Sequence, residues 1–264
     1  MSRIIAITNQ KGGVGKTTTA VNLASTLNHA GYNVLLVDMD PQGNASGGSG
    51  IGINQLEISI YQVLLGTEKI NDALCQTDHG FDVVPSHTDL VGAQVELGTF
   101  ADKEFRLKYP LGEIDKDYAF ILIDCAPTLN ILTINALAAA NEVLVPVQCE
   151  YYALEGLTNL IKTIELVREK LNPNLQIAGL VRTMYDVRNR LSIEVSEQLD
   201  EHFPNNLYRT VIPRNVRLAE APSYGQPILD YDRKCSGSKA YVALASEVLR
   251  KTPQVMAQIH GGSG

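Results

Sequence analysis

A chain of 264 residues with 45% hydrophobic content is long enough for one large α/β domain and too apolar to be disordered. Its formal charge of −7 disfavours a generally basic nucleic-acid binder while leaving room for a local basic patch. No apolar run reaches the ~18 residues that cross a bilayer, no secretory leader is expected, and the scattered Cys75, Cys125, Cys149 and Cys235 predict reduced cytoplasmic thiols without a zinc site.

The first apolar run, Ile4-Ile5-Ala6-Ile7, leads into Asn9-Gln10-Lys11-Gly12-Gly13-Val14-Gly15-Lys16-Thr17-Thr18-Thr19. A strand, a glycine-rich loop and a helix in that order make a phosphate-binding loop. Glycine lets the backbone come close to phosphate oxygens. The helix that follows aims free N–H groups and the positive end of its dipole at the anion. Gly12, Gly13, Val14, Gly15, Lys16, Thr17 and Thr18 are therefore assigned to nucleotide binding. Lys16 is expected to reach the β- and γ-phosphates, and the Thr17 hydroxyl to hold Mg²⁺. One position departs from G-x-x-x-x-G-K-S/T: Gln10 stands in place of the first glycine, and an extra lysine, Lys11, follows it.

Thr18 to Ala30 is predicted as a helix, with Ala20, Leu23, Ala24 and Leu27 on one face and Gly31 ending it. Val34 to Val37 reads as a parallel strand covered on both faces. It delivers Asp38 and Asp40 to the carboxyl edge of the sheet, beside the loop. Asp40 precedes Pro41 and is expected in a turn rather than buried in the strand. Short helices are expected over 59–65 and 70–75, a strand over 81–85, a helix over 90–97, and a mostly helical stretch over 98–117 broken near Pro110. Tyr118 to Asp124 is the clearest buried strand. It ends in aspartate, as a Walker B strand does, with the carboxylate near Mg²⁺. Helices over 130–140, 153–171, 192–203 and 236–257, the last bent or ended by Pro253, alternate with strands over 142–147, 175–181 and 211–213. The alternation predicts a doubly wound, mostly parallel sheet with helices on both faces, the P-loop NTPase architecture. Residues 1–260 are read as one domain and 261–264 as a flexible tail.

The form of the loop resembles the deviant phosphate loop of the ATPase class that contains ParA, MinD and the nitrogenase iron protein. The likeness continues through Val37-Asp38-Met39-Asp40-Pro41-Gln42-Gly43-Asn44, Leu122-Ile123-Asp124-Cys125, residues 146–156 and residues 211–223. Over residues 2–250 the chain resembles the ParA/Soj family of partitioning ATPases, in the short form without an N-terminal helix-turn-helix domain. The last two stretches separate that family from its relatives. The resemblance implies hydrolysis of ATP to ADP and phosphate, with ATP and Mg²⁺ as cofactors. It places Gly12 and Gly13 at a dimer interface and Lys11 on the partner's ATP. Asp40 would orient the attacking water, Asp38 would stand with Asp124 at the metal, and Pro213 and Asn215 would border the adenine. After Asp124 the family commonly reads Asp-x-Pro-Pro-Ser, where this chain has Asp124-Cys125-Ala126-Pro127-Thr128; the difference bears on loop shape alone.

Lys16, Mg²⁺ and a neighbour's Lys11 would spread positive charge over the phosphates, which links nucleotide state to dimerisation. Residues 182–239 carry nine basic against eight acidic side chains, so the C-terminal third is the more basic part. Arg188 with Arg190, Arg217, and Arg233 with Lys234 are expected on three loops. The resemblance assigns Arg188, Arg217 and Arg233 to non-specific contacts with double-stranded DNA by an ATP-bound homodimer. It also implies a ParB/Spo0J-type centromere-binding partner that stimulates hydrolysis through a basic peptide, and a cytoplasmic, nucleoid-associated location. The alternative is a MinD-like membrane-cycling ATPase, which needs a basic amphipathic C-terminal helix. Lys251 to His260 carries a proline and few cations, so no stable membrane association is expected. An electron-transfer ATPase like the nitrogenase iron protein needs paired cluster cysteines, and Cys125 has no evident second cysteine at suitable spacing.

Overall fold

The apolar runs become the middle of one eight-stranded sheet. The computed structural model describes residues 2–52 and 56–251. Its strands are β1 (Arg3–Ile7), β2 (Val34–Met39), β3 (Cys75–Gln76), β4 (Asp82–Val84), β5 (Phe120–Cys125), β6 (Glu142–Gln148), β7 (Gln176–Tyr185) and β8 (Leu207–Pro213). Its helices are α1 (Lys16–His29), α2 (Asn44–Gly48), α3 (Ile60–Leu65), α4 (Leu90–Glu96), α5 (Lys108–Gly112), α6 (Ile131–Ala139), α7 (Ala153–Lys170), α8 (Arg190–His202), α9 (Val216–Glu220), α10 (Ile228–Tyr231) and α11 (Ser236–Arg250). The strand order is β3-β4-β2-β5-β1-β6-β7-β8. Every neighbouring pair is parallel except β3 with β4.

Side chains alternate across the sheet, so each strand feeds two cores. On β5, Ile121, Ile123 and Cys125 join a core with α3 to α8, while Phe120 and Leu122 join a core with α1 and α11. All six residues of β2 and of β5 are buried, which explains their unbroken apolar reading. Helix α1 turns Leu23 and Leu27 into the second core, where neither is exposed. Burial of each such side chain contributes roughly 1.5–3 kcal/mol.

Several elements differ from expectation. β2 continues to Met39, so Asp38 lies in the strand. β7 runs to Tyr185 and β8 begins at Leu207, both longer than expected. Arg182 does not end β7, because its guanidinium bonds Ser196 Oγ at 2.9 Å and the Tyr208 carbonyl at 3.0 Å. Residues 70–75 form a 3₁₀ turn, Ile70–Ala73, followed by the short antiparallel β3. Of 98–117 only α5 is α-helical, and Pro110 sits inside its first turn, where no intrahelical N–H bond is lost. Arg190 begins α8 and Arg217 lies in α9, so neither is a loop residue. The readings beyond residue 251, including Pro253, the C-terminal anchor question and the 261–264 tail, lie outside the described residues.

Candidate functional site

The register sets the site. Ile7 pairs with Asp124 across β1 and β5, and Asp38 pairs with Asp124 across β2 and β5. The carboxyl ends of three central strands therefore open side by side, and the loops that follow them converge there.

The loop after β1 is pinned at its start by Asn9. Its amide donates to the Pro146 carbonyl at 2.7 Å, and its Oδ1 accepts the Lys11 N–H at 3.0 Å. Gly13 and Gly15 take φ of +74° and +84°, the left-handed region that glycine reaches without strain. Gly15 is the N-cap of α1 and supplies no side-chain cap, so the first-turn N–H groups remain available to an anion. Val14 turns its side chain into the protein interior and contributes to the loop through its backbone. Lys16 is buried, and its ammonium donates to the Lys11 carbonyl at 3.1 Å. Burial pulls the Lys16 ammonium below the ordinary lysine range, with the Asp124 carboxylate opposing.

Lys11 points elsewhere. Its ammonium sits 2.5 Å from Glu150 Oε2, and the Gln148 amide donates to the other Glu150 oxygen. Lys11 is not among the described residues lining the cavity, whereas Gly12, Gly13, Gly15, Lys16, Thr17 and Thr18 are.

Thr17 and Asp124 meet on the far side of the loop. The Thr17 hydroxyl donates to Asp124 Oδ2 at 2.7 Å. Asp124 is fully buried, and its Oδ1 has no hydrogen-bond partner among the described residues. Burial and the neighbouring Asp38 push the Asp124 carboxyl well above the ordinary range; the Thr17 hydrogen bond and Lys16 oppose the shift. An orphaned carboxylate oxygen beside a threonine hydroxyl is a hard-oxygen donor pair that fits Mg²⁺. Among the described residues no cluster of three or more His, Cys, Asp or Glu side chains forms a metal site. Phosphate oxygens and water would therefore complete the coordination shell.

Asp38 faces a different way. Its Oδ1 accepts the Asp40 N–H at 3.1 Å, and its Oδ2 accepts the Ser46 N–H at 2.8 Å and the Ser46 hydroxyl at 2.7 Å. Burial pushes Asp38 up to about 6 against these hydrogen bonds. Both oxygens thus hold the turn between β2 and α2 in place. Asp40 leaves the strand, as expected, yet is only 8% exposed. Its Oδ1 accepts the Gln42 N–H at 3.0 Å, and it lines the cavity with Pro41 and Gln42.

The cavity has a volume of about 820 Å³, within the range of small-molecule sites. Its far wall is built by Thr183, Met184, Pro213, Asn215 and Leu218. Pro213 and Asn215 thus both face the same cavity as the phosphate loop. The side-chain oxygen of Asn215 caps α9 by accepting the Arg217 N–H at 2.8 Å, and its amide donates to Ser236 Oγ at 2.9 Å. Met184, at φ +47°, is the one non-glycine residue with positive φ among those described. The α4 residue Gln94 also lines the cavity and accepts the Asn130 amide at 3.1 Å. Thr183, Met184 and Gln94 carry no motif and were missed from sequence. The β-branched Thr183 next to an apolar run was the one available signal for a longer β7.

The three candidate DNA-binding arginines are exposed, but two are held by acids. Arg188 makes a two-pronged pair with Asp186, at 3.0 and 2.9 Å. Arg217 pairs with Glu220 at 2.9 Å and lies 3.7 Å from Asp232. Asp232 precedes Arg233 in the chain, so Arg217 and Arg233 share one corner, while Arg188 stands on the loop between β7 and α8.

A family model described as an AAA domain matches residues 2–177. The chain is 53% identical over 252 residues to the chromosome partitioning protein ParA of Caulobacter vibrioides, covering 94% of each. It is 50% identical over 249 residues to the sporulation initiation inhibitor protein Soj of Bacillus subtilis, covering 94% of this chain and 98% of that one. Among solved structures, cobyrinic acid a,c-diamide synthase from Mycobacterium smegmatis with bound ADP and magnesium aligns at a TM-score of 0.84 and 36% identity, over 95% of both chains. A deviant phosphate loop, a buried Walker B aspartate and relatives matched over nearly their whole length agree: the chain belongs to the ParA/Soj family of chromosome-partitioning ATPases.

Proposed function

We propose that residues 1–260 form a single ATPase domain that binds ATP with Mg²⁺ and hydrolyses it to ADP and phosphate. In this reading the ATP-bound chains pair face to face, bind double-stranded DNA without sequence preference and release it after hydrolysis. A ParB-type partner stimulates that hydrolysis and so couples the cycle to segregation of a chromosome or plasmid on the nucleoid.

The observation that carries the reading is the contrast between the two loop lysines. Lys16 lines its own cavity, while Lys11 lies outside it on Glu150, which supports a role for Lys11 at a neighbour's site. The first-turn N–H groups of α1 and Lys16 hold the phosphates. Thr17 and Asp124 would hold Mg²⁺, which would supply charge neutralisation to the phosphates. Asp38 stands behind Asp124 and fixes the turn that carries Asp40. Asp40 holds the attacking water in line; a carboxylate is a weak base that positions water better than it deprotonates it. Pro213 and Asn215 border the base, and Arg188, Arg217 and Arg233 meet DNA phosphates.

DNA co-sedimentation tests the reading, with no nucleotide, ADP or ATP, for the wild type and Asp40→Ala, at low and moderate salt. The expected result is binding with ATP only, increased in Asp40→Ala and lost with salt. Nucleotide-bound protein that sediments with anionic liposomes and never with DNA would replace DNA as the surface on which the cycle runs.

A further inference from the structure

Thr183 lines the cavity and also reaches the backbone of the phosphate loop. It lies on β7, is 2% exposed, and its hydroxyl donates to the Val14 carbonyl at 2.7 Å. A Cβ added to Gly15 would meet Thr183 Cβ and Cγ2 at 3.9 Å, so the threonine also packs against the loop's last glycine.

This hydrogen bond decides which way one peptide faces. In a trans peptide the C=O and the following N–H point in opposite directions. Holding the Val14 carbonyl on the Thr183 hydroxyl therefore turns the Gly15 N–H to the opposite side of the peptide, and Gly15 lines the cavity. Glycines at positive φ on both sides of Val14 leave that peptide free to rotate once the tether is cut. A rotated peptide presents a carbonyl oxygen where a phosphate oxygen must sit, and the two repel.

We propose that Thr183 is a positioning residue for phosphate binding: it fixes the orientation of the Val14–Gly15 peptide and so keeps the Gly15 N–H aimed at the nucleotide phosphates. The proposal rests on the nucleotide-binding reading above. Thr183 also precedes Met184, whose backbone turns into the base wall, and the Tyr185 carbonyl accepts the Arg214 N–H at 3.2 Å. One strand end thus supports both the phosphate end and the base end of the cavity.

Calorimetric titration of wild type, Thr183→Val and Thr183→Ser with adenosine, ADP and ATPγS in Mg²⁺ tests it. Thr183→Val keeps the shape and removes the donor. It is expected to weaken ADP and ATPγS about tenfold while changing adenosine less than about twofold, since only phosphate reads the peptide's orientation. Thr183→Ser restores the donor and is expected to bring both phosphorylated ligands back to within about threefold of wild type. An equal loss for adenosine and ADP, or no loss for either, overturns the proposal. Should Thr183→Val not fold, Thr183→Cys, a weak donor of similar size, takes its place with the same two outcomes. Failure of the wild type itself to bind any of the three ligands would overturn the nucleotide reading on which the proposal depends.

Discussion

Asp38 and Asp124 are register partners on adjacent parallel strands, both with no exposed surface. Burial raises Asp38 from 3.8 to about 6, and Asp124 moves in the same direction. Between about pH 4 and 6 the folded chain therefore holds a proton at Asp38 that the unfolded chain has released. The contribution of this pair to stability falls as pH rises through that window. Other carboxylates act with the opposite sign, such as Asp186, which Arg188 holds down to about 2. A difference measurement isolates the pair. Ser46→Ala removes the hydroxyl that donates to Asp38 and moves its titration upward. In urea unfolding of the nucleotide-free protein, the deficit of Ser46→Ala against wild type is expected to widen from pH 5 to pH 7.5. A deficit independent of pH would refute the assignment.

The orphaned Oδ1 of Asp124 gives stability and function opposite signs. Asp124→Asn removes a buried charge yet keeps an oxygen for the Thr17 hydroxyl. Near neutral pH the nucleotide-free variant is expected to melt at or above the wild-type temperature, because burying a carboxyl with one oxygen unpartnered is costly. The further rise on adding Mg²⁺ with ADP is expected to be lost. Thr17→Ala deletes a hydroxyl bonded to a charged group, an interaction of about 1.5–3 kcal/mol. Thermal scans with and without Mg²⁺ separate these outcomes, and an Asp124→Asn protein still stabilised by Mg²⁺ beyond nucleotide alone would remove Asp124 from the metal site.

The proposed roles of Lys11 and Asp40 divide assembly from turnover. Lys11→Ala is expected to bind ATP within a fewfold of wild type and to remain monomeric by light scattering. Asp40→Ala is expected to accumulate as an ATP-bound dimer with hydrolysis reduced by at least about tenfold. A Lys11→Ala protein that dimerises normally with ATP would sink the face-to-face reading.

The arginines predict a salt dependence. Arg188 and Arg217 are paired with acids on the surface, and such exposed pairs contribute about 0–1 kcal/mol, little enough for phosphates to displace. Arg188→Glu with Arg217→Glu is expected to weaken ATP-dependent DNA binding and flatten its log–log salt slope by about 0.9 for each DNA phosphate no longer neutralised. ATPase activity without DNA should be unchanged. An unaltered slope would place the DNA surface elsewhere.

The central elements were legible because burial on both faces writes an unbroken apolar run, as in β2 and β5, and because the phosphate loop needs its residues in a fixed order. What stayed hidden was held by tertiary bonds that leave no pattern. The irregular backbone near 103–107 looks helical in charge and leucine spacing, yet Asn135 satisfies it from α6, accepting the Leu107 N–H at 3.1 Å and donating to the Lys103 carbonyl at 2.7 Å. Arg182 reads as the end of a strand, but carbonyls and a serine receive its guanidinium. Of the site, the loop, Asp40, Asp124, Pro213 and Asn215 came from motif and resemblance. The outward turn of Lys11 onto Glu150 and the commitment of Asp38 to Ser46 depend on which way side chains face at the end of a strand, which spacing does not encode.

Lys16 rests on the backbone carbonyl of Lys11, the residue whose side chain, in the function proposed above, serves the neighbouring subunit. In that reading an arriving triphosphate shares the Lys16 ammonium with that carbonyl, since an ammonium has three N–H donors to divide between them. Loading one's own site would therefore reach, through Lys16, the main chain of the lysine proposed for the other. On the proposed cycle, one backbone hydrogen bond would thus join the filling of a chain's own pocket to the residue it presents to a partner.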